Sequence, residues 1–258
     1  MSLYRDEGIV LRTQKLGEAD RIITLLARRT GRIRAVGKGV RRTKSRFGAR
    51  LEPFTHVDLQ LYAGRSLDII TQAETIRPYG EQLAVDYPRY TAGVAMLETA
   101  ERFTPEEKEP ALRQFLLLVG GLRTLGAQEH DPRLVLDAYL LRSLSVAGYA
   151  PALEECALCG ARQEGAGGTG APGESGYGRP RAFSVAAGGL VCRTCRPPGS
   201  ATPAGPTVGL MGELLRGDWP AADGSEQRHR VECSGLVAAY LQWHLEHSIR
   251  SLKHVEHV

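Results

Sequence analysis

The sequence predicts an α+β protein with several domains: an N-terminal five-stranded barrel, a helical bundle and a small cysteine-containing module. Three observations lead to this fold class. Strand patterns crowd the first 76 residues, helical patterns follow from residue 81, and four of the five cysteines form two close pairs. A chain of 258 residues is long enough for two or three compact units.

Five short strand patterns open the chain. They cover residues 8–14, 21–27, 32–38, 55–63 and 67–76. The fourth alternates cleanly, because Thr55, Val57, Leu59 and Leu61 share one face and polar residues share the other. Turn residues, such as Thr30-Gly31, separate the patterns. Five short strands in this length predict a closed sheet of the OB type, since closure removes exposed strand edges.

Helical spacing replaces the strand pattern after Pro78. Residues 81–103 form the first segment, with Pro88 as a kink or break, and residues 110–125 form the second. Residues 131–147 begin with Asp131-Pro132, a favourable start for a helix. Two further helical segments are predicted at 207–216 and 234–252. The apolar faces of these helices indicate a bundle rather than a cofactor site.

The cysteines are paired in two C-x-x-C motifs, Cys156/Cys159 and Cys192/Cys195. Two such motifs supply the four thiolates that a structural zinc ion takes up in a closed tetrahedral site. The interval between them is long, but the glycine-rich stretch 160–180 accounts for the excess and reads as a mobile loop. The sequence therefore predicts structural zinc held by Cys156, Cys159, Cys192 and Cys195.

Two other sets of possible metal ligands are given simpler interpretations. Cys233 is expected to be a buried residue at the start of a helix. His244, His247, His254 and His257 are expected on a solvated helix surface, since no cysteine or carboxylate is placed to complete a metal site with them.

These patterns divide the chain into three predicted regions. Residues 1–79 form the barrel domain, residues 80–149 and 203–258 form the helical domain, and residues 150–202 form the zinc module. No apolar run is long enough to cross a membrane, and the N-terminus lacks an apolar export signal, so a cytoplasmic location is expected.

Positive charge is concentrated in the barrel region. Residues 1–80 contain sixteen Lys/Arg against eight Asp/Glu, and residues 21–51 contain eleven Lys/Arg and no acid. A block of one sign repels itself, so a partner of opposite charge is expected. No phosphate-binding loop and no cluster of catalytic carboxylates accompanies it, which favours a binding protein over an enzyme.

The basic residues form a candidate track for a nucleic-acid backbone. Arg32, Arg34 and Lys38 share a strand face with Val36, and the following loop adds further cations. The candidate nucleic-acid-binding residues are Arg32, Arg34, Lys38, Arg41, Arg42, Lys44, Arg46, Phe47 and Arg50. Phe47 is consistent with either stacking on a base or packing in the core. Phe54 is expected in the core because it enters a strand.

The chain resembles the bacterial RecO family of recombination mediators over its whole length. The resemblance rests on GIVLRTQKLGEADRIITLLARRTGRIRAVGKGVRR, on Leu51-Glu52-Pro53-Phe54 and on ECALCG…GGLVCRTC. It implies an N-terminal OB fold, a helical middle and an embedded zinc module. It also implies binding of single- and double-stranded DNA, annealing of complementary strands, and cooperation with RecR and single-stranded DNA-binding protein to load RecA recombinase in DNA repair.

Two other functions remain open from the residues alone. One is an RNA-binding OB protein with a zinc knuckle, because neutralisation of phosphates does not distinguish ribose from deoxyribose. The other is a scaffold whose basic face binds an acidic protein partner. The predicted function is a non-enzymatic DNA-binding and annealing mediator.

Overall fold

A computed structural model describes residues 2–43, 45–162 and 180–245, excepting the side chains of residues 180 and 181. All five predicted strands are present in its N-terminal part; four agree with their expected limits within two residues, and the first begins five residues earlier than expected. Their bounds are β1 Leu3–Leu16, β2 Asp20–Ala27, β3 Gly31–Gly37, β4 Thr55–Tyr62 and β5 Asp68–Pro78. A short 3-10 helix, Gly48–Leu51, interrupts the long connection between β3 and β4.

The five strands close into a barrel in the order β1-β2-β3-β5-β4. All neighbouring pairs are antiparallel except β3 and β5, which run parallel and pair only at Ala35–Asp68 and Val36–Ile69. This five-stranded closed topology is that of an OB fold and confirms the predicted class. Because the β3–β5 seam is so short, most of the β3 edge on that side is left for another segment to cover.

The barrel interior follows the predicted alternation. Val57, Leu59 and Leu61 of β4 lie in the core with side chains from the other four strands, including Ile23 and Ile33. On the opposite face of β4, His56 is also buried because the aromatic ring of Phe115 packs edge-on against it from outside the barrel. Burial lowers the pKa of His56 and so favours its neutral form.

Four helices follow the barrel. They are α1 Tyr79–Leu83, α2 Tyr87–Phe103, α3 Leu112–Ala127 and α4 Pro132–Val146. The predicted break near Pro88 is confirmed, since α2 begins one residue before this proline. The carboxylate of Asp131 accepts a hydrogen bond from Arg133 N at 2.8 Å, which confirms the predicted helix start. Phe54 is buried, as expected, and packs edge-on against Tyr90.

The C-terminal part combines a β-hairpin with three helices. Their bounds are β6 Pro180–Ser184, β7 Gly189–Cys192, α5 Gly205–Arg216, α6 Trp219–Asp223 and α7 Gln227–His244. The hairpin was not predicted. Cys233 is fully buried as expected, but it lies inside α7 rather than at its start, because that helix begins at Gln227. Within the described ranges, no helix is both long and apolar enough to cross a membrane.

The described residues form two compact units, 2–139 and 140–245, and the chain passes from one to the other within α4. The first unit contains the barrel and α1–α3, because α2 and α3 pack on β1 and β2. The second contains the cysteine motifs and α5–α7. The predicted limits at residues 79, 149 and 202 do not coincide with this division and stay a prediction.

One buried carboxylate lies at the short β3–β5 seam. Asp68 is fully buried and accepts hydrogen bonds from Tyr4 Oη at 2.5 Å, Lys108 Nζ at 2.8 Å and Gly64 N at 2.9 Å. Burial alone would raise the pKa of Asp68, but the hydrogen bonds from Lys108, Tyr4 and Gly64 outweigh it, and the pKa is lowered. The ionised form is therefore the one that stabilises the barrel.

We expect Asp68→Asn to lower the free energy of unfolding by about 2–4 kcal/mol, because Lys108 loses a buried ionic partner. Since the pKa of Asp68 is lowered on folding, the unfolded state binds the proton more readily. The stabilisation is thus present above the ordinary pKa of 3.8 and is lost as the pH falls through and below it. Denaturant titrations at pH 7 and pH 3 measure both effects.

Asp58→Asn is the matched control, because Asp58 forms an exposed pair with Arg5 at 2.8 Å. It should change stability much less than Asp68→Asn at pH 7. Equal losses in the two variants, or an acid sensitivity of the wild type that Asp68→Asn retains in full, would contradict the assigned role of Asp68.

Candidate nucleic-acid interface and metal-binding cysteines

The basic connection between β3 and β4 covers one end of the barrel. Three apolar side chains along it, Val40, Phe47 and Leu51, belong to the barrel core and are 8%, 2% and 0% exposed. They hold a segment that otherwise contains mostly polar and charged residues. We call residues 38–51 the basic cap. Its buried apolar members point inward, and its described basic members are displayed outward.

The described cations of the basic cap are exposed. They are Lys38, Arg41, Arg42, Arg46 and Arg50. Lys44, the remaining predicted cation of the loop, lies outside the described residues. The exposed guanidinium and ammonium groups lie on one short segment and provide a high local density of positive charge, which suits a phosphate backbone.

Hydrogen bonds fix the start of the cap against the β1–β2 turn and the first residue of β2. Gly39 N donates to the carboxylate of Asp20 at 2.7 Å, and Arg41 N donates to Ala19 O at 3.0 Å. The Arg41 guanidinium also donates to the carbonyl oxygens of Gly17 and Glu18, at 3.2 and 2.9 Å. The β1–β2 turn of an OB barrel borders its usual oligonucleotide-binding face. The cap is therefore attached beside that face.

Phe47 packs in the core rather than being displayed for stacking. Its ring is 2% exposed, and the Arg46 guanidinium lies 4.8 Å from the ring centre. The stacking alternative for Phe47 is thus corrected: the ring fills the barrel end and supports the cap. The sequence left this open because a phenylalanine between basic residues fits both roles.

The two strand arginines of the predicted track are engaged by acids. Arg32 is 3.7 Å from the Glu101 carboxylate, and its side chain is only 16% exposed. Arg34 is 3.4 Å from the Glu107 carboxylate. The period-two pattern placed both correctly on the outer face of β3. It did not reveal their partners, which follow about seventy residues later in the chain.

A further pair was missed by the sequence reasoning. Arg21 donates to the Glu52 carboxylate at 2.6 Å, which connects the start of β2 with the end of the basic cap. Glu52 is the first acid after residues 21–51, which contain none, and this position was the signal in the sequence that could have indicated the pair. The pair holds the second end of the cap, as Asp20 holds the first.

The four predicted metal ligands come together in the second unit. The sulfur atoms of Cys156, Cys159, Cys192 and Cys195 all lie within 4.8 Å of one another. Cys159 Sγ and Cys192 Sγ are 3.9 Å apart. In a tetrahedral zinc site with bonds of ~2.3 Å, the sulfurs are roughly 3.8 Å apart. The donor set and its spacing therefore fit one tetrahedral metal ion.

The local backbone explains this convergence. Leu190 N donates to Ala152 O at 2.8 Å, and Ala157 N donates to Leu190 O at 2.7 Å, so the first motif lies along β7. A Cβ on Gly189 would lie 2.4 Å from Ala152 O, which explains the glycine at this close approach. The neighbouring apolar cluster consists of alanines, one valine and the cysteines themselves, so it buries little area. Residues 163–179, most of the predicted mobile loop, lie outside the described residues.

The pKa values of Cys156 and Cys195 are shifted in opposite directions. Burial acts to raise the pKa of Cys156, but hydrogen bonds from backbone N–H groups, first that of Cys192, outweigh it and lower the pKa to about 6. Hydrogen bonds with the neighbouring thiols of Cys192 and Cys159 raise the pKa of Cys195 to about 12. Four adjacent thiolates repel one another, and a bound cation removes that repulsion because metal ligands must be deprotonated.

The C-terminal histidines divide between described and undescribed residues. His244 ends α7 and stacks on the Tyr149 ring at 4.4 Å between ring centres. It therefore has a packing role in addition to the predicted surface location. His247, His254 and His257 lie outside the described residues.

Comparison with known proteins gives consistent results along the whole chain. Residues 1–79 match the family model described as Recombination protein O N terminal, and residues 84–253 match Recombination protein O C terminal. The chain is 69% identical to the DNA repair protein RecO of Thermobifida fusca over 99% of each chain. It is 61% identical to that of Streptomyces griseus, over 99% of this chain and all of the relative, and 61% identical to that of Nocardioides sp., over 98% and 99%.

Proposed function

Because the chain belongs to the RecO family, which supports a role in DNA repair and recombination, we propose that it acts as a DNA-binding recombination mediator. It binds single- and double-stranded DNA, anneals complementary strands and helps to load a recombinase. Its proposed partners are RecR and single-stranded DNA-binding protein. We place this activity in the cytoplasm, at the nucleoid.

The observation that carries the proposal is the basic cap. Its exposed cations stand on a segment that three buried apolar side chains hold against the barrel end. The described cations are therefore carried by an anchored segment, which lowers the conformational entropy lost on binding. The proposed DNA-contacting residues are Lys38, Arg41, Arg42, Lys44, Arg46 and Arg50. Arg32 and Phe47 are assigned structural roles.

Annealing follows from the same charge distribution. Two single strands repel each other through their phosphates, and a cationic surface that neutralises both lowers the repulsion. It also raises the local concentration of one strand near the other. Base pairing then supplies the sequence specificity, and no base-reading residue or nucleotide hydrolysis is required.

We propose that the protein works without catalysing a chemical step. The acids nearest to the basic cap in sequence, Asp20 and Glu52, have structural partners in Gly39 N and Arg21. A metal-dependent nuclease would instead direct paired carboxylates toward the bound phosphate. Binding and positioning of DNA are the functions that this surface supports.

The proposed metal is zinc, with a structural role. Four cysteines fill a tetrahedral coordination sphere and leave no open position for a substrate. The apolar cluster around the cysteines is small. Metal binding would therefore stabilise the folded form of this region, by on the order of 10 kcal/mol. Cys156, Cys159, Cys192 and Cys195 would hold it.

We expect Lys38→Glu/Arg42→Glu to weaken binding of single-stranded oligonucleotides roughly tenfold or more at ~100 mM salt, because two phosphate contacts become repulsive. The log–log salt slope should become shallower by about 1.4. Fluorescence anisotropy at several salt concentrations measures both, and annealing of complementary strands should slow in parallel.

Arg113→Glu/Arg123→Glu provides the control with the same change in charge, placed on exposed positions of α3. It should leave the affinity within about twofold, since neither residue belongs to the proposed contact surface and exposed charges outside it are screened by salt. A wild-type affinity independent of salt would contradict phosphate binding. Annealing of RNA but not DNA strands would favour the RNA-binding alternative.

We expect the wild type to contain about one zinc per chain and Cys156→Ser to contain essentially none. Hydrogen exchange should accelerate in the region of residues 152–195 of that variant, while the barrel amides keep their protection. Metal analysis and hydrogen-exchange mass spectrometry provide the measurements.

Cys233→Ala is the matched control, because it removes the fifth cysteine and leaves the cluster intact. It should retain one zinc. Retention of a full zinc equivalent by Cys156→Ser would exclude the four-cysteine site.

A further inference from the structure

The segment between α2 and α3 lies across the exposed edge of β3. We call residues 104–110 the acidic strap, since their sequence is TPEEKEP. Lys108 N donates to Arg32 O at 2.8 Å, and Glu107 forms a parallel bridge with Arg32. A Cβ on Gly31 would lie 1.7 Å from Glu109 O, so the close approach requires glycine there. The strap thus covers the part of β3 that β5 leaves unpaired.

The strap is fixed at Lys108. This residue has a left-handed backbone conformation, with φ at 63°, and its Nζ is 2.8 Å from the buried Asp68 carboxylate. A non-glycine residue adopts this conformation only where surrounding contacts impose it. Lys108 therefore positions the neighbouring Glu107 over the outer face of β3.

The two arginines of β3, Arg32 and Arg34, differ in their exposure and in the contacts that their guanidinium groups make. Arg32 is 16% exposed, donates to Pro105 O, and faces a Glu101 carboxylate that Arg12 also binds at 2.9 Å. Within the described part of the chain, Arg34 has one ionic contact, with Glu107 at 3.4 Å, and the side chains of Arg34 and Glu107 are 36% and 31% exposed. Among the described residues, Arg34 Nε is buried without a hydrogen-bond partner.

We propose that the Glu107 carboxylate occupies the position on Arg34 that a DNA phosphate binds. A phosphate of bound single-stranded DNA then pairs with this guanidinium and displaces the carboxylate. The inference rests on the proposed DNA-binding function of the basic cap and concerns how that site is regulated. In OB barrels the β2–β3 face binds oligonucleotides, and Arg34 lies on the outer side of that face.

Arg34 is placed to extend the basic cap. It lies four residues before Lys38, which corresponds to roughly 13 Å along an extended strand. A backbone that follows the cap therefore reaches Arg34 next, where it meets Glu107. Because an exposed ion pair contributes little, exchange of carboxylate for phosphate is accessible at ordinary temperature. The competition lowers affinity and keeps strand binding reversible, as annealing requires.

The test compares Glu107→Gln with Glu106→Gln in the full-length protein. Both remove one negative charge from adjacent, exposed positions of the strap. Glu107→Gln should bind a single-stranded oligonucleotide about two- to fivefold more tightly, since Arg34 is released. Its log–log salt slope should steepen by about 0.7, one additional phosphate contact. Glu106→Gln should change affinity by less than about 1.5-fold at 0.15 M salt.

A double-mutant cycle identifies Arg34 as the group released. In an Arg34→Gln background, Glu107→Gln should give no gain beyond that of Glu106→Gln. Equal effects of the two glutamate variants, or a gain that persists without Arg34, would overturn the exchange while leaving binding by the basic cap intact. A wild type without salt-dependent DNA binding would instead overturn the proposed function, and this inference with it.

Discussion

The first unit depends on how β3 is held on the side away from β2. β5 pairs with only two of its residues, and at that seam the buried Asp68 accepts hydrogen bonds from Tyr4, Gly64 and Lys108. These donors belong to β1, the β4–β5 turn and the acidic strap. One carboxylate therefore joins the closure of the barrel to the segment that completes the β3 edge. Ionisation of Asp68 is favourable because the hydrogen bonds from these donors together outweigh the effect of burial.

The same edge decides which cations are available for a ligand. The strap carries Glu107 to Arg34, and α2 carries Glu101 to Arg32. The basic cap, which follows β3 in sequence, is held differently. Phe47 and Leu51 are buried in the barrel core, and Asp20 and Glu52 form hydrogen bonds at the two ends of the cap. Of its described guanidinium groups, that of Arg41 donates to carbonyl oxygens of the β1–β2 turn and that of Arg50 donates to Arg46 O within the cap. Attachment by apolar and terminal contacts leaves the charge of the cap at the surface.

Local pattern predicted most of the architecture. Short strand patterns separated by turn residues predicted the five strands, Pro88 predicted the helix break, and the two C-x-x-C motifs predicted the cluster of four sulfurs. The strands and the helix break depend on residues that are near one another in sequence. The convergence of the two C-x-x-C motifs, which are far apart in sequence, was predicted from the four thiolates that structural zinc takes up. The misplaced start of α7 is of another kind: Cys233 is buried, but a buried cysteine does not indicate where its helix begins. The β6–β7 hairpin was missed because its strands are short and its first strand follows a long glycine-rich stretch.

The predicted basic track shows where local reasoning ends. The sequence pattern predicts that a basic side chain on a strand face or in the following loop is available to a ligand, and Lys38 and Arg42 are indeed exposed. For Arg32 the same pattern coincides with a nearly covered guanidinium, because Glu101 and Pro105 arrive from a helix end about seventy residues away. The period-two pattern predicts which face of the strand a side chain lies on. Whether an acid already pairs with that side chain depends on segments far away in the sequence. Arg34, exposed enough to be reached and paired weakly enough to be released, lies between these cases, and competition between an acid and a phosphate is the physical consequence of that position.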